Sequence, residues 1–319
     1  MSENILHIAI LGATSEIARN LILSVSECAT HQLTLFARNK VAVEGWLLGL
    51  KLEKRYKVKS FSEFVVGEHF DVIINFVGIG NPAQAIAMGN TIFEVTQIYD
   101  ELALNYLKAH PDCRYLFLSS GAVYGSNFEE PVSQKTVATI SINQLSRQEW
   151  YGVAKLHAEC RHRAHPELSI IDIRVFNFFS RTHDIEARFL ITDILRAVRD
   201  KTVLVTSSDY IVRDFLHPSD FYSLVSALLS TPNVNSAVDC YTRAPVDKPT
   251  LLLAMKNEYG LRYEEVNARG SSMNATGYKP YYYSLNRHAA NFGYQPRLTS
   301  LEGLMQEIRP FFDNIRGDF

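Results

Sequence analysis

The run Ile5-Leu-His-Ile-Ala-Ile-Leu11 passes without a break into Gly12-Ala-Thr-Ser-Glu-Ile-Ala18. A short apolar run closed by glycine suits a strand buried on both faces, the kind from which parallel sheets are built. Helix-forming residues continue to about Glu27, so the expected local structure is strand, tight turn and helix. At such a turn the unpaired N–H groups and the dipole of the helix start can hold a pyrophosphate. The glycine pattern is reduced. Gly12 is present, while Ser15 and Ala18 stand where a GxxGxxG spacing has its other glycines, alanine being acceptable at the third. A plain strand-to-helix turn is the alternative. Read as a dinucleotide turn, the stretch offers Gly12, Thr14, Ser15, Glu16 and Ile17 as cofactor contacts.

The same alternation recurs. Leu33–Phe36, Asp71-Val-Ile-Ile-Asn-Phe-Val-Gly78, Tyr115–Gly125 and Leu168–Phe176 read as buried strands, with helical stretches at 41–55, 90–109 and 147–162 between them. Strands alternating with helices predict an α/β chain built on a Rossmann-like, doubly wound parallel sheet. Beyond Asn177-Phe-Phe-Ser180 the alternation loosens, with a helix expected at Ile185–Val198 and no flexible linker. A smaller α/β substrate-binding domain, interlaced with the first, is therefore expected. Residues 1–178 plus about 212–242 are assigned to the dinucleotide-binding domain, and about 179–211 and 243–319 to the substrate domain. With 319 residues, 47% of them apolar, the chain is long enough for both cores. A net charge of −2 gives no field that would favour nucleic acid or an anionic membrane. Cys28, Cys113, Cys160 and Cys240 lack metal-ligand spacing, which predicts reduced thiols, a cytoplasmic protein and no metal site.

Three further stretches carry chemistry. Arg38, after the second strand, stands where an NAD-binding chain usually has a carboxylate for the adenosine ribose, and a guanidinium there suits a 2′-phosphate. NADP(H) is thus favoured, with NAD(H) left open; a solvated arginine at a strand end is the bland alternative. Phe76, Val77 and Gly78 end a strand where backbone can lie against the cofactor, and Ser119 and Ser120 end another. Tyr151 and Lys155 are four residues apart on a predicted helix and so share a face. An ammonium beside a phenol lowers its pKa, which would fit Tyr151 for moving an alcohol proton. A half-buried Tyr with a snorkelling Lys is what YxxxK more often means in isolation.

Together, Gly12–Ala18, Ser119-Ser-Gly-Ala-Val-Tyr-Gly125, Tyr151–Lys155, Arg174-Val-Phe-Asn177, Arg213-Asp-Phe-Leu-His217 and Gly293-Tyr-Gln-Pro296 resemble the extended short-chain dehydrogenase/reductases, which modify nucleotide sugars. The resemblance covers almost the whole chain. It implies that Tyr151 is the catalytic acid/base, that Lys155 tunes it and holds the nicotinamide ribose, and that Ser120 binds the reacting sugar oxygen. It also implies that Asn177 and Arg213 meet the substrate phosphates; a strand-end cap and an ion pair with Asp214 are the respective alternatives. The 4,6-dehydratases of that family carry Asp-Glu after the catalytic hydroxyl, where this chain has Gly121-Ala122. The epimerase-reductases that make GDP-fucose carry Cys at the position of Ala122, and His183 lies one residue from the position of their partner His. The expectation is hydride reduction of a nucleotide-linked keto-sugar, or alternatively epimerisation by transient oxidation with tightly bound NAD. A homodimer is expected through a helical stripe of Ile92, Val95, Tyr99, Ala103 and Tyr106.

Overall fold

A computed structural model describes residues 5–28, 31–79, 82–267 and 279–316. Strands β1 (His7–Leu11), β2 (Gln32–Phe36), β3 (Lys57–Lys59), β4 (Val72–Asn75), β5 (Arg114–Ser120), β6 (Ile170–Val175) and β7 (Asn235–Asp239) form a 7-stranded sheet in the order β7-β6-β5-β4-β1-β2-β3. Every neighbouring pair is parallel. The apolar run that opens the chain is buried on both sides, as a central parallel strand must be: Ile8, Ala9, Ile10 and Leu11 are inaccessible to solvent. Strand order reverses at β1, between β2 and β4. A crevice at the carboxyl ends of the strands, where sheets of this kind bind ligands, therefore opens next to Gly12.

The helices are α1 (Glu16–Cys28), α2 (Lys40–Gly49), α3 (Pro82–Met88), α4 (Thr91–Ala109), α5 (Trp150–Arg163), α6 (Leu190–Arg199), α7 (Pro218–Leu229), α8 (Lys248–Tyr259) and α9 (Ser300–Arg316). Leu21, Ile22 and Val25 of α1, Val43 and Leu47 of α2, and Phe221, Leu224 and Leu228 of α7 pack on one face of the sheet. Ala103, Leu104 and Leu107 of α4 and Ala158 of α5 pack on the other, with β5. A further apolar core joins Ile191, Ile194 and Leu195 of α6, Leu251, Leu252 and Met255 of α8, and Leu304, Ile308 and Phe312 of α9. Short strands tie the chain together: 177–178 pairs with 215–216, 203–207 with 262–266, and 212–213 with both 246–247 and 281–282. No helix of the described residues is long and apolar enough to cross a membrane.

One expectation is corrected. The helix expected from Ile185 begins at Leu190, because the Thr192 hydroxyl donates to Ala187 O and Arg196 donates to Ile185 O and Ala187 O, which holds that segment as a turn. The stripe on α4 is core at three of its five positions, with Val95 and Tyr99 half-buried. Ile92, Ala103 and Tyr106 are buried, and the Tyr106 hydroxyl accepts from Phe70 N at 2.7 Å while donating to Glu68 O at 2.8 Å.

Candidate active site

Gly12 has φ +84°, a left-handed conformation, and a Cβ there would come within 3.0 Å of Phe76 C and Val77 N. Glycine is thus required twice, by conformation and by the close passage of the β4 end. The amides of Gly12 and Ala13 both donate to Phe36 O, at 2.9 and 3.1 Å, which folds the turn over β2. Thr14 is exposed, and Ser15, Glu16 and Ile17 are half-buried around the start of α1. The Glu16 carboxylate accepts from Ser180 Oγ at 2.8 Å and lies 2.8 Å from His183 Nδ1, close enough for an ion pair but not aligned as a hydrogen bond. His183 therefore sits against α1. Arg38 is exposed just past β2, with no carboxylate partner among the described residues.

The Phe76 ring is buried against Phe221, so its backbone alone can face the crevice. Beyond it Val77 is half-buried and Gly78 exposed. A Cβ at Gly78 would lie 3.3 Å from Lys155 Nζ. That ammonium donates to Leu118 O at 2.8 Å and Val77 O at 3.5 Å, and lies 4.2 Å from the centre of the Phe117 ring. Burial pushes Lys155 down to about 8, with Asp100, Asp172 and Glu159 acting in the opposite direction.

The two serines that end β5 point to different tasks, as alternation along a strand requires. Ser119 Oγ donates to Glu159 Oε1 at 2.5 Å, and Glu159 is gripped by Arg174, which also donates to the Tyr124 hydroxyl at 2.7 Å. Its side chain is therefore committed to a buried network under α5, which leaves its backbone for the cofactor contact expected of it. Ser120 Oγ instead accepts from Ala122 N at 3.2 Å and lies between two phenols, Tyr151 and Tyr282, the latter at 3.5 Å. The titration expected of Tyr151 is also corrected. Burial raises its phenol well above the ordinary tyrosine range and Tyr282 adds to the rise, against a hydrogen bond from Ser120. Lys155 does not depress it, because its ammonium is turned to backbone carbonyls.

Tyr282 was not visible as a site residue in the sequence. It lies in the aromatic run Tyr281-Tyr-Tyr283, and nothing in local spacing links it to Ser120. Its ring packs on Phe128 and Phe176, at 4.8 and 5.3 Å between centroids. The Arg213 guanidinium lies 6.0 Å and Lys279 Nζ 5.0 Å from its centre. Arg213 Nη1 donates to the carbonyls of Val212, Lys279 and Pro280. The alternative pair with Asp214 does not form, since that carboxylate is buried on the amide and hydroxyl of Thr242. Burial pushes Arg213 down to about 10, and burial together with Arg213 pushes Lys279 down to about 8. Asn177 Nδ2 donates to Tyr282 O at 3.3 Å and Asp214 O at 3.5 Å, bracing the same corner. Residues 268–278, which precede this aromatic run, lie outside the described residues. Among the described residues no group of His, Cys, Asp and Glu could hold a metal ion.

The fold is similar to that of a Bacillus anthracis dTDP-glucose 4,6-dehydratase solved with NAD, at TM-score 0.78 and 17% identity over 98% of each chain. It is similar as well to a Bacillus cereus UDP-glucuronic acid 4-epimerase solved with UDP-glucuronic acid and NAD, at TM-score 0.77 and 16% identity over 97% of this chain and 100% of that one. A Thermotoga maritima UDP-glucose 4-epimerase solved with UDP-glucose gives the same TM-score, identity and coverage, 0.77, 16%, 97% and 100%. No curated protein matches the chain. A sequence profile described as the NAD dependent epimerase/dehydratase family matches residues 8–240, from the first residues of β1 through the glycine turn, Ser120, Tyr151, Lys155 and Arg213 to the end of β7. By that match, over the very elements that build the crevice, the chain belongs to the NAD-dependent epimerase/dehydratase family.

Proposed function

We propose that the protein is an NAD(P)-dependent nucleotide-sugar oxidoreductase that reduces a keto-sugar linked to a nucleoside diphosphate. One observation carries the reading: a serine–tyrosine pair able to handle a proton and two half-buried cations, Arg213 held by backbone carbonyls and Lys279 within the field of Glu149, meet around the single ring of Tyr282. A sugar diphosphate presents a reacting carbon and a dianionic bridge a few bonds apart, which matches that juxtaposition. Phosphates would fall to Arg213 and Lys279 with Asn177 beside them, and the substrate unit is drawn as about 179–211 and 243–319.

A dinucleotide suits the crevice, since the left-handed turn at Gly12 packs closely on the end of β4 and brings the start of α1 to the strand ends, and Gly78 leaves bare backbone beside the Lys155 ammonium. Gly12, Thr14, Ser15 and Ile17 would hold its pyrophosphate at the start of α1, and Val77, Gly78 and Lys155 its nicotinamide end. When bound, the nicotinamide supplies or accepts the hydride. Tyr151, held protonated by burial, is suited to donating to a carbonyl oxygen as it becomes an alkoxide, and Ser120 to donating a second hydrogen bond there. The neighbours solved with NAD speak for NAD(H), while exposed Arg38 is the argument for a preference for NADP(H).

Dehydration is disfavoured by packing. A Cβ at Gly121 would lie 2.4 Å from ring atoms of Phe176, so the acidic residue that dehydratases carry there has no room. Epimerisation with retained NAD uses the same residues and is the second reading, favoured by two of the neighbours described. Mass spectrometry of the ligand that copurifies with the native protein tests both. A keto-sugar nucleotide consumed with stoichiometric loss of reduced cofactor supports the first reading; redox-neutral interconversion of two epimers overturns it. We also propose a homodimer through the outward side of α4, where Ile98 is 61% exposed.

A further inference from the structure

Beneath the end of β4 lies a run of buried polar side chains. Asn75 ends β4, Tyr115 stands on β5, Asp100 on α4, His162 on α5 two turns beyond Lys155, and Asp172 on β6, and all five are closed to solvent. Their bonds run in one direction. His162 has a carboxylate at each ring nitrogen, Asp100 at 2.7 Å and Asp172 at 2.6 Å, and these hold it as an imidazolium that donates to both. Asp100 also accepts from Arg161, and as a carboxylate it can do nothing but accept. Tyr115 must therefore donate to it, at 3.1 Å; burial, with Asp100, holds that phenol well above the ordinary tyrosine range, so the proton stays. Having spent its proton, the phenol oxygen can only accept from Asn75, whose Nδ2 lies 2.8 Å away and reaches Tyr99 O at 3.4 Å. That leaves Asn75 Oδ1 for the amide of Val77, at 2.9 Å, and Val77 turns its carbonyl to Lys155. A reversed amide at Asn75 would set two N–H donors face to face. The charge on the triad thus decides which way the Val77 peptide lies.

We propose that the Asp100–His162–Asp172 triad, acting through Tyr115 and Asn75, is a positioning network that fixes the Val77–Gly78 backbone for the nicotinamide ribose of the dinucleotide. The inference deepens the cofactor reading and rests on it. A buried network in which every bond is met rigidifies what it touches, and Gly78 has no side chain to hold it otherwise. Since Asn75 and Tyr115 are closed to solvent, the network reaches a bound dinucleotide only through Val77 and Gly78. Its action is confined to that end. The start of α1, which would hold the pyrophosphate, is tied to Phe36 O and Ser180, both outside the run. Loosening the network should therefore weaken the grip on the nicotinamide half and spare the adenosine diphosphate half.

Calorimetric titration of the full-length protein at neutral pH with NADH and with ADP reads the two halves apart. Neither probe carries a 2′-phosphate, so Arg38 does not enter the comparison. Tyr115→Phe keeps the ring and removes the hydroxyl between Asn75 and Asp100. It is expected to weaken NADH binding by about tenfold, as for the loss of one hydrogen bond to a charged group, with ADP binding as in wild type. His162→Gln discharges the triad without touching Tyr115; it should shift the same ratio in the same direction, and it carries the test if Tyr115→Phe does not fold. With valine labelled in 15N and Val77 assigned through Val77→Ile, the Val77 amide proton should move upfield in both variants as its bond to Asn75 weakens. An unchanged ratio of the two affinities overturns the network, whether both fall or neither does. A wild type that binds ADP but not NADH overturns the dinucleotide reading and the network with it. Wild-type binding of NADH with a ratio that no variant alters refutes the network alone.

Discussion

Tyr151→Phe keeps a ring in its place on α5 and removes the transferable proton. Turnover is expected to fall by on the order of 10²- to 10⁴-fold with cofactor affinity nearly unchanged, checked by steady-state rates beside a fluorescence titration of bound cofactor. Gly121→Asp is expected to destabilise the protein by about 1–3 kcal/mol through overpacking against Phe176 and to confer no dehydratase activity, read from urea midpoints and product analysis. A stable variant that eliminates water would refute the packing argument. The sequence made Ser120, Tyr151 and Lys155 legible because their relation is local, a strand end followed by an i,i+4 pair. Tyr282 and Lys279 come from the far end of the chain and reach Ser120 and Arg213 only through the pairing of 212–213 with 281–282. The ionisation of Tyr151 was misjudged for a related reason. Spacing puts Lys155 on its helix face but cannot say that the ammonium prefers the carbonyls of Leu118 and Val77.

At the level of elements, α4, α5 and β6 are joined by a buried triad. His162 lies 2.7 Å from Asp100 and 2.6 Å from Asp172, all three without solvent access, and Arg161 and Arg163 reach in from the surface. Against the cost of burial, the two carboxylates raise His162 from 6.5 to about 9. A folded value above the unfolded one means the stabilisation is complete below pH 6.5, declines above it, and is lost as the pH rises through about 9. Its size is on the order of 3 kcal/mol. Urea midpoints of wild type and His162→Gln should therefore differ most in mild acid and converge in alkali. The difference isolates His162, because Lys155 and Lys279, with folded values of about 8 below their ordinary 10.5, slope the other way. A gap that does not change with pH would refute the assignment. The helices themselves were readable from periodicity, but what covers the apolar stripe of α4 was not. Apolar spacing reports that a face is covered, and here the sheet and α5 cover it.

For the molecule as a whole, the doubly wound sheet was legible because buried strands and amphipathic helices alternate over its first half, whereas the second core is built from short strands paired out of chain order. Calorimetry should find NADPH bound more tightly than NADH, with Arg38→Ala removing most of the difference; tighter NADH binding by wild type would sink the NADP preference. Light scattering should report a dimer at micromolar concentration, and a monomer would count against α4 as an interface. The threading of the chain has a further effect. Gly12 and Tyr282 lie near opposite ends of the described residues, yet both sit at the carboxyl end of the same sheet, Gly12 after β1 and Tyr282 against Ser120 of β5. During synthesis the ribosome therefore releases the glycine turn, Ser120 and Tyr151 long before the segment that closes over them. A nascent or truncated chain lacking that segment should, on the function proposed, bind dinucleotide without acting on a sugar.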